Sequence, residues 1–443
     1  MYNPGIGTLV PNFCLICPLC SIQTELKENN FELLNNMDPK SLNIQKTIND
    51  MGMLINNWIF SYLKKASDNK IEETKNIAKL IIFGSQMLGT STNKSNVDGI
   101  ILVPLKSDSN SQFEINFFGD FFDCTHERDC VINLKKGFDS ISDLEKKDNS
   151  FFCTLCKNKS VQNIKRINSR RLNIINANFD GVDFSLSYVI IEENSFKKLF
   201  ENNESLTAEK MDKVIEDFTS VITYEFLMNK NNYIPKRLGM IISLSALRST
   251  LRLKEMLGKN IVKFRIIYLT IKLWAEKHYI NSGQFGFLNS ASISILVSKI
   301  VIENPELRIT KLIEKLFEYL VKWFNLPLSE ERVVKLEDPI NWNLIDDSII
   351  AHKNVHRYLD IKQSEKHDNA VWPIIDLGSP SQDAGFNING STEIIIKNEI
   401  NKEASLFEQS WKKWFNGGLF EDKVQKYMIV VVVLKKGRER RVS

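Results

Sequence analysis

The hydrophobic pattern of this chain changes period once along its length, and that change limits the folds open to it. Between Leu80 and Ile191 the apolar residues come in short strand-like runs: Leu80–Phe83, Val97–Leu105 and Phe179–Ile191. In the last of these Val182, Phe184, Leu186 and Tyr188 alternate with Asp183, Ser185 and Ser187, the two-residue period of a half-buried strand. From about Ser205 the period is helical. Phe264–Ile280 is one clear segment. Ile309–Phe324 is the other, its stripe formed by Ile309, Leu312, Ile313, Leu316, Phe317, Leu320 and Phe324. A helix with Ser41 as cap precedes the first strand, carrying Ile44, Ile48, Met51, Ile55, Trp58, Ile59 and Tyr62 on one face. Strands gathered in the first half and helices in the second predict an α+β chain.

Composition narrows the class further. The 443 residues are 43% hydrophobic and 25% charged, the balance of a folded chain. The longest apolar run, Met428–Leu434, is too short for a membrane helix, and the N-terminus lacks a secretory signal pattern. No membrane association is expected. The net charge of +4 sits in the last nine residues, where five basic residues face one acid. A broad basic face is therefore not implied. Lys165, Arg166, Arg170 and Arg171 form a second, local basic cluster near the third strand.

The chemistry is concentrated in Phe83–Pro104, FGSQMLGTSTNKSNVDGIILVP. Gly84-Ser85 after a strand, followed by an acid on the next strand, suits nucleotidyl transfer. Small residues let backbone N–H groups and a hydroxyl approach a triphosphate, and carboxylates on adjacent strands hold divalent ions. The plain alternative is a tight turn into an ordinary strand.

Several ordered segments decide between these. FGSQMLGTSTNKSNVDGIILVP, NFDGVDFSL, SLSALR, FRIIYLTIKLWAEKHYINSGQFGFLNS and VWPIIDLGSPSQDAGFNINGST run in the order of matching segments in the eukaryotic poly(A) polymerases. From about residue 42 onward the chain resembles that family of the nucleotidyltransferase superfamily. The resemblance implies an α+β fold, with a polymerase-beta-like nucleotidyltransferase domain built on a mixed sheet at 41–200; residues 1–40, with Pro4, Pro11, Pro18 and several Asn, read as a mostly extended arm. A helical central domain follows at 201–365, then a truncated RNA-binding-type α/β domain at 366–443. It also implies transfer of AMP from ATP to an RNA 3′ end in mRNA 3′-end processing, with Mg²⁺ or Mn²⁺, in the nucleus, beside cleavage and polyadenylation factors.

The departures from the family are as informative. Its paired acids fall on Asn96 and Asp98, so one is an amide. Its third acid falls on Ser185. Asp183 shares the strand face with Ser185, about 6.6 Å along. One carboxylate of three predicts slow or absent catalysis. The alternative function is an inactive paralogue that binds RNA or an active partner polymerase; a third is an enzyme completed by acids from another subunit. By resemblance, Lys272 keeps the phosphate-binding lysine and Gly84 and Ser85 the phosphate cradle. Ser245, Asn281, Asn289 and Ser290 stand where the family has nucleotide-site Asn, Tyr and paired Gly.

An insertion at about 106–170 reads as polar and loop-rich. It carries Cys124, Cys130, Cys153 and Cys156, whose spacing suits a Cys₄ zinc site or four reduced thiols. Phe386–Lys397 reads as a turn into a strand, and Trp411–Phe420 as a helix.

Overall fold

The computed structural model describes residues 18–28, 39–66, 77–92, 95–105, 110–119, 150–168, 172–200, 205–228, 237–326, 333–338, 371–379, 381–404 and 414–415. The elements that position the candidate site are a five-stranded sheet and the helices packed on it. The strands are β1 (Lys79–Phe83), β2 (Val97–Pro104), β3 (Val161–Asn168), β4 (Asn173–Phe179) and β5 (Val182–Ile191). Their order across the sheet is β1-β2-β5-β4-β3, with β2 and β5 parallel and the other neighbours antiparallel. The mixed sheet is as expected.

Two apolar cores share the chain. The first buries the sheet beneath α2 (Pro39–Ala66), α4 (Asn110–Phe118), α5 (Phe151–Lys157), α6 (Glu193–Phe200) and α7 (Ala208–Met228). The second gathers α9 (Ile261–Lys277), α10 (Ser290–Glu303), α11 (Ile309–Phe324) and α12 (Gly390–Ala404). Helix α8 (Arg237–Leu257) serves both, giving Met240, Leu244, Leu247 and Leu251 to the first and Leu253 and Leu257 to the second. Because one helix is anchored in each core, the cleft between them has a continuous wall.

Several expectations need correction. The arm at 1–40 is not wholly extended: Pro18–Glu28 is a helix, α1, whose Ile22 and Leu26 sit one turn apart in the second core. The insertion is not all loop. Phe113, Phe117 and Phe118 of α4 and Phe151 of α5 make edge and tilted ring contacts with Trp58 and Tyr188, and Phe117 stacks on Phe151, holding both ends of the insertion on the sheet. β3 and β4 were not anticipated, since VQNIKRIN and NIINANF carry many polar residues. Their signal was Asp180-Gly181, a two-residue hairpin turn with φ +48° and +82° joining β4 to β5.

Finally, Gly390–Ala404 is a helix and not a strand. Asn389 caps it, its Oδ1 accepting from Ser391 and Thr392 N–H while Thr392 Oγ1 accepts from the Asn389 N–H. Ile396 and Ile400, four residues apart, face the core. The division expected at 366 does not separate two cores, because Trp372, Ile374, Leu377 and Ile388 belong with α9–α11. Arg170, Arg171, the Met428–Leu434 run and the basic tail lie outside the described residues. The helix expected at 411–420 does too, apart from Trp414 and Phe415.

Candidate active site

A cavity of about 530 Å³ opens between the ends of β1 and β2 and the helices α8–α10, a size suited to a nucleotide. Across the sheet, Phe83 of β1, Asp98 of β2 and Ser185 of β5 lie in one row. Asn96, two residues before Asp98, donates from Nδ2 to Ser185 Oγ at 3.2 Å. The fold therefore brings the three family acid positions together, although only Asp98 is an acid. Burial pushes the Asp98 carboxyl up to about 6.

Asp183 is not part of this group. It is exposed at the β4–β5 hairpin, where Asn178 Nδ2 donates to its Oδ1 at 2.8 Å, and it does not line the cavity. The fold offers no replacement carboxylate from that strand face.

Gly84 begins the short helix α3 (Gly84–Leu88) with φ +63°. A Cβ at this position would stand 3.1 Å from Asp98 Oδ2. Its N–H donates to Thr250 Oγ1 at 3.3 Å, which ties the turn to α8. Two constraints thus converge on one glycine. Gly84→Ala is expected to cost about 1–2 kcal/mol in backbone strain and to displace the Asp98 carboxylate. Urea unfolding, read beside Mn²⁺-induced thermal shift, checks both effects. Ser85 lines the cavity, as do Thr90 and Ser95 from the following loop.

The opposite wall comes from helices. Ala246, Ser249, Thr250 and Leu253 present one face of α8. Lys272 and Tyr268 of α9 line the cavity one turn apart, and Tyr268 hydrogen-bonds Ser290. Arg265, on the same helix, donates to Leu88 O at 2.7 Å and lies over Gly89. Asp376 closes the wall, its Oδ1 accepting from the Gly378 and Gln382 N–H groups. Burial raises its carboxyl to about 6 as well.

Four expected nucleotide positions therefore line the cavity: Gly84, Ser85, Lys272 and Ser290. Three others do not. Ser245 is buried in α8, one residue from the cavity-facing Ala246. Asn281 pairs with Leu288 through a β-bridge. Asn289 caps α10, accepting from Ser292 N–H at 2.8 Å, and donates from Nδ2 to Ala384 O at 2.7 Å. Its bulk is spent on structure rather than left in the cavity. Zinc has no support from the described thiols. Cys153 is buried and Cys156 half-buried on α5, while Cys124 and Cys130 lie outside the described residues.

The two raised carboxyls give the site a pH signature. In the folded chain Asp98 keeps its proton up to about pH 6, whereas an unfolded aspartate loses it near 4. The native state binds more protons across that window, so this group's contribution to stability falls as pH rises through it. Divalent ions compete with the same proton. Thermal stabilisation by Mn²⁺ is expected to be small at pH 5 and to grow by pH 7, and to be absent in Asp98→Asn at both.

Residues 263–420, which carry Lys272, Ser290 and Asp376, match the model of the poly(A) polymerase central domain. The poly(A) polymerase of Entamoeba histolytica is 24% identical over 405 residues, 88% of this chain and 60% of that one. The chain is similar to the poly(A) polymerase family over most of its length. Within that family, the poly(A) polymerase of Dictyostelium discoideum is 22% identical over 88% of this chain and 40% of its own length. The Candida albicans enzyme PAPalpha is 27% identical over 43% of this chain and 32% of its own. The chain thus spans 60% or less of these relatives. Solved structures that resemble it include a cytoplasmic RNA terminal U-transferase and the Cid1 poly(U) polymerase. Both have a TM-score of 0.45, with 13% and 12% identity, and cover 90% and 89% of this chain. Among the described residues no helix is long and apolar enough to cross a membrane.

Proposed function

We propose that this chain is a poly(A)-polymerase-like protein that binds ATP and an RNA 3′ end in the cleft but transfers AMP very slowly or not at all. The observation that carries the reading is the meeting of Asn96, Asp98 and Ser185 at one point with a single carboxylate among them.

The donors decide what metal the site can take. Asp98, with the Asn96 carbonyl and the Ser185 hydroxyl, fits one Mg²⁺ or Mn²⁺ held by oxygen ligands. The set does not fit a pair of ions, because neutral oxygens cannot offset the second charge. One bound cation would supply positive charge beside the triphosphate. The chain's own residues do the rest. Ser85 and the backbone at Gly84 cradle phosphate oxygens, Lys272 neutralises them across the cleft, and Tyr268 with Ser290 forms the wall beside them.

In this reading the scaffold serves as a nucleotide- and RNA-binding partner of an active polymerase or of cleavage and polyadenylation factors, in the nucleus. Calorimetric titration with a non-hydrolysable ATP analogue and Mg²⁺ tests it. Saturable binding that weakens about tenfold or more in Lys272→Ala is expected, in line with the loss of one charge-assisted contact. Absence of saturable binding would remove the nucleotide from the proposal.

A further inference from the structure

The two phosphate-facing sides of the cleft belong to different parts of the fold. Gly84 and Ser85 are carried by α3, where Phe83 before it and Met87 within it pack against the first core. Lys272 is carried by α9, a helix of the second core. A triphosphate held from both sides needs them at a fixed separation. One side chain outside the cavity lining ties them together.

With five residues, α3 is too short to hold its own place. Its start is fastened to α8, where Gly84 N–H donates to Thr250 Oγ1. Its end is fastened to α9. Leu88 puts its side chain into the second core, and its carbonyl, at the last turn of the helix, accepts from Arg265 Nε at 2.7 Å. The guanidinium is seated against Gly89, where a Cβ would stand 2.5 Å from the guanidinium carbon and 2.6 Å from Nε. Gly89 also has φ +69°, so both its conformation and this close approach call for glycine. Within α9, Arg265, Tyr268 and Lys272 stand at i, i+3 and i+7 on one face. Two turns put Arg265 about 10.5 Å along the axis from Lys272. Tyr268 and Lys272 line the cavity, whereas Arg265 holds the end of α3.

We propose that Arg265 is a positioning residue for the nucleotide triphosphate: by holding the end of α3 against α9, it fixes Ser85 and the Gly84 backbone at the separation from Lys272 that the phosphates span. This role rests on the ATP reading above and adds the side chain that sets the spacing of that site. Arg265 acts through α3 and not by touching phosphate.

Two measurements on the full chain test it. The first is amide hydrogen exchange without nucleotide, read at Gly89 and Thr90, whose N–H groups donate to Gln86 O and Ser85 O and so report the turn of α3. In Arg265→Ala their exchange is expected to quicken at least about tenfold, while Leu269–Leu273 in the middle of α9 keep native rates. The second is calorimetry with Mg²⁺ and a non-hydrolysable ATP analogue, set beside adenosine. Arg265→Ala should weaken the analogue about tenfold, the worth of one charge-assisted hydrogen bond, and leave adenosine unchanged. Arg265→Lys should recover part of the loss, since an ammonium offers the same carbonyl a donor without the planar seat on Gly89. Gly89→Ala keeps the cation but removes its seat, and should lose as much as Arg265→Ala. Native exchange at Gly89 and Thr90 in Arg265→Ala overturns the proposal. So does an equal loss for analogue and adenosine, which would mark general damage to the fold. Native affinity for the analogue in Gly89→Ala overturns it too, because the cation would then act on phosphate directly. A native chain that binds neither ligand removes the ATP reading, and the exchange comparison still decides whether Arg265 holds α3.

Discussion

Replacing Asn96 and Ser185 together by Asp is expected to raise the rate at which the chain extends an RNA primer at least about 100-fold. The estimate rests on several kcal/mol of transition-state stabilisation from a full two-ion site, at tenfold per 1.4 kcal/mol. The backbone is already in place. Asn96 and Ser185 are in hydrogen-bond contact, and Asp98 is paired in register with Ser185 on the adjacent parallel strand. Three carboxylates at that spacing repel one another without a cation. The double variant should therefore melt lower than the native chain in chelator and higher in Mn²⁺, which reports ion binding independently of turnover. Either single variant should fall between. A folded, Mn²⁺-stabilised double variant that stays silent would move the defect to the nucleotide wall, where Asn281 and Asn289 have become structural.

Arg248→Ala is expected to produce a large loss of stability. The guanidinium is 6% exposed in α8. Its Nε and Nη2 donate to both oxygens of Asp212 on α7, at 2.9 and 3.2 Å. Nη1 donates to Glu337 Oε1 at 3.0 Å and to Leu377 O. Four stretches of chain meet at one cation. Burial alone would raise the Glu337 carboxyl, but the hydrogen bonds from Arg252 and Arg248 outweigh it and hold it below its ordinary value. Removing the arginine strands these acceptors and opens a cavity between the two cores. The cost is about 3 kcal/mol, at the lower end for a broken buried pair because Asp212 is one-third exposed. Arg248→Lys should recover only part, since an ammonium cannot serve Asp212 in bidentate fashion. Urea unfolding measures both, and a loss under about 1 kcal/mol in Arg248→Ala would show that the network is dispensable.

The parts of this fold that could be read from the chain are those set by local pattern. The alternation from Val182 to Tyr188 defined β5, and the stripe of Ile309–Phe324 marked α11 to the residue. Gly84 and Asp98 were legible because a tight turn and an acid at the head of a strand carry their own signature. The misreadings share a cause. Ile394-Ile395-Ile396 looks like a strand, yet the Asn389 cap and the burial of Ile396 with Ile400 make it a helix; local apolar content lost to capping and long-range burial. β3 and β4 were hidden by asparagines that a sheet tolerates once β5 supplies the ladder. Ser249 and Tyr268 reach the cleft from two successive helices and Asp376 from more than a hundred residues further on, and no spacing rule connects them. Arg265 over Gly89 was invisible for the same reason.

The central claim is that family architecture persists here while the capacity for adenylyl transfer has largely gone with two carboxylates. The most direct measurement incubates the native chain with ATP, an RNA primer and Mg²⁺ or Mn²⁺, and follows primer length over time. The account predicts little or no growth of the primer under conditions where the chain is folded. Extension at rates ordinary for a polymerase, on the order of one to a thousand nucleotides per second, would contradict it.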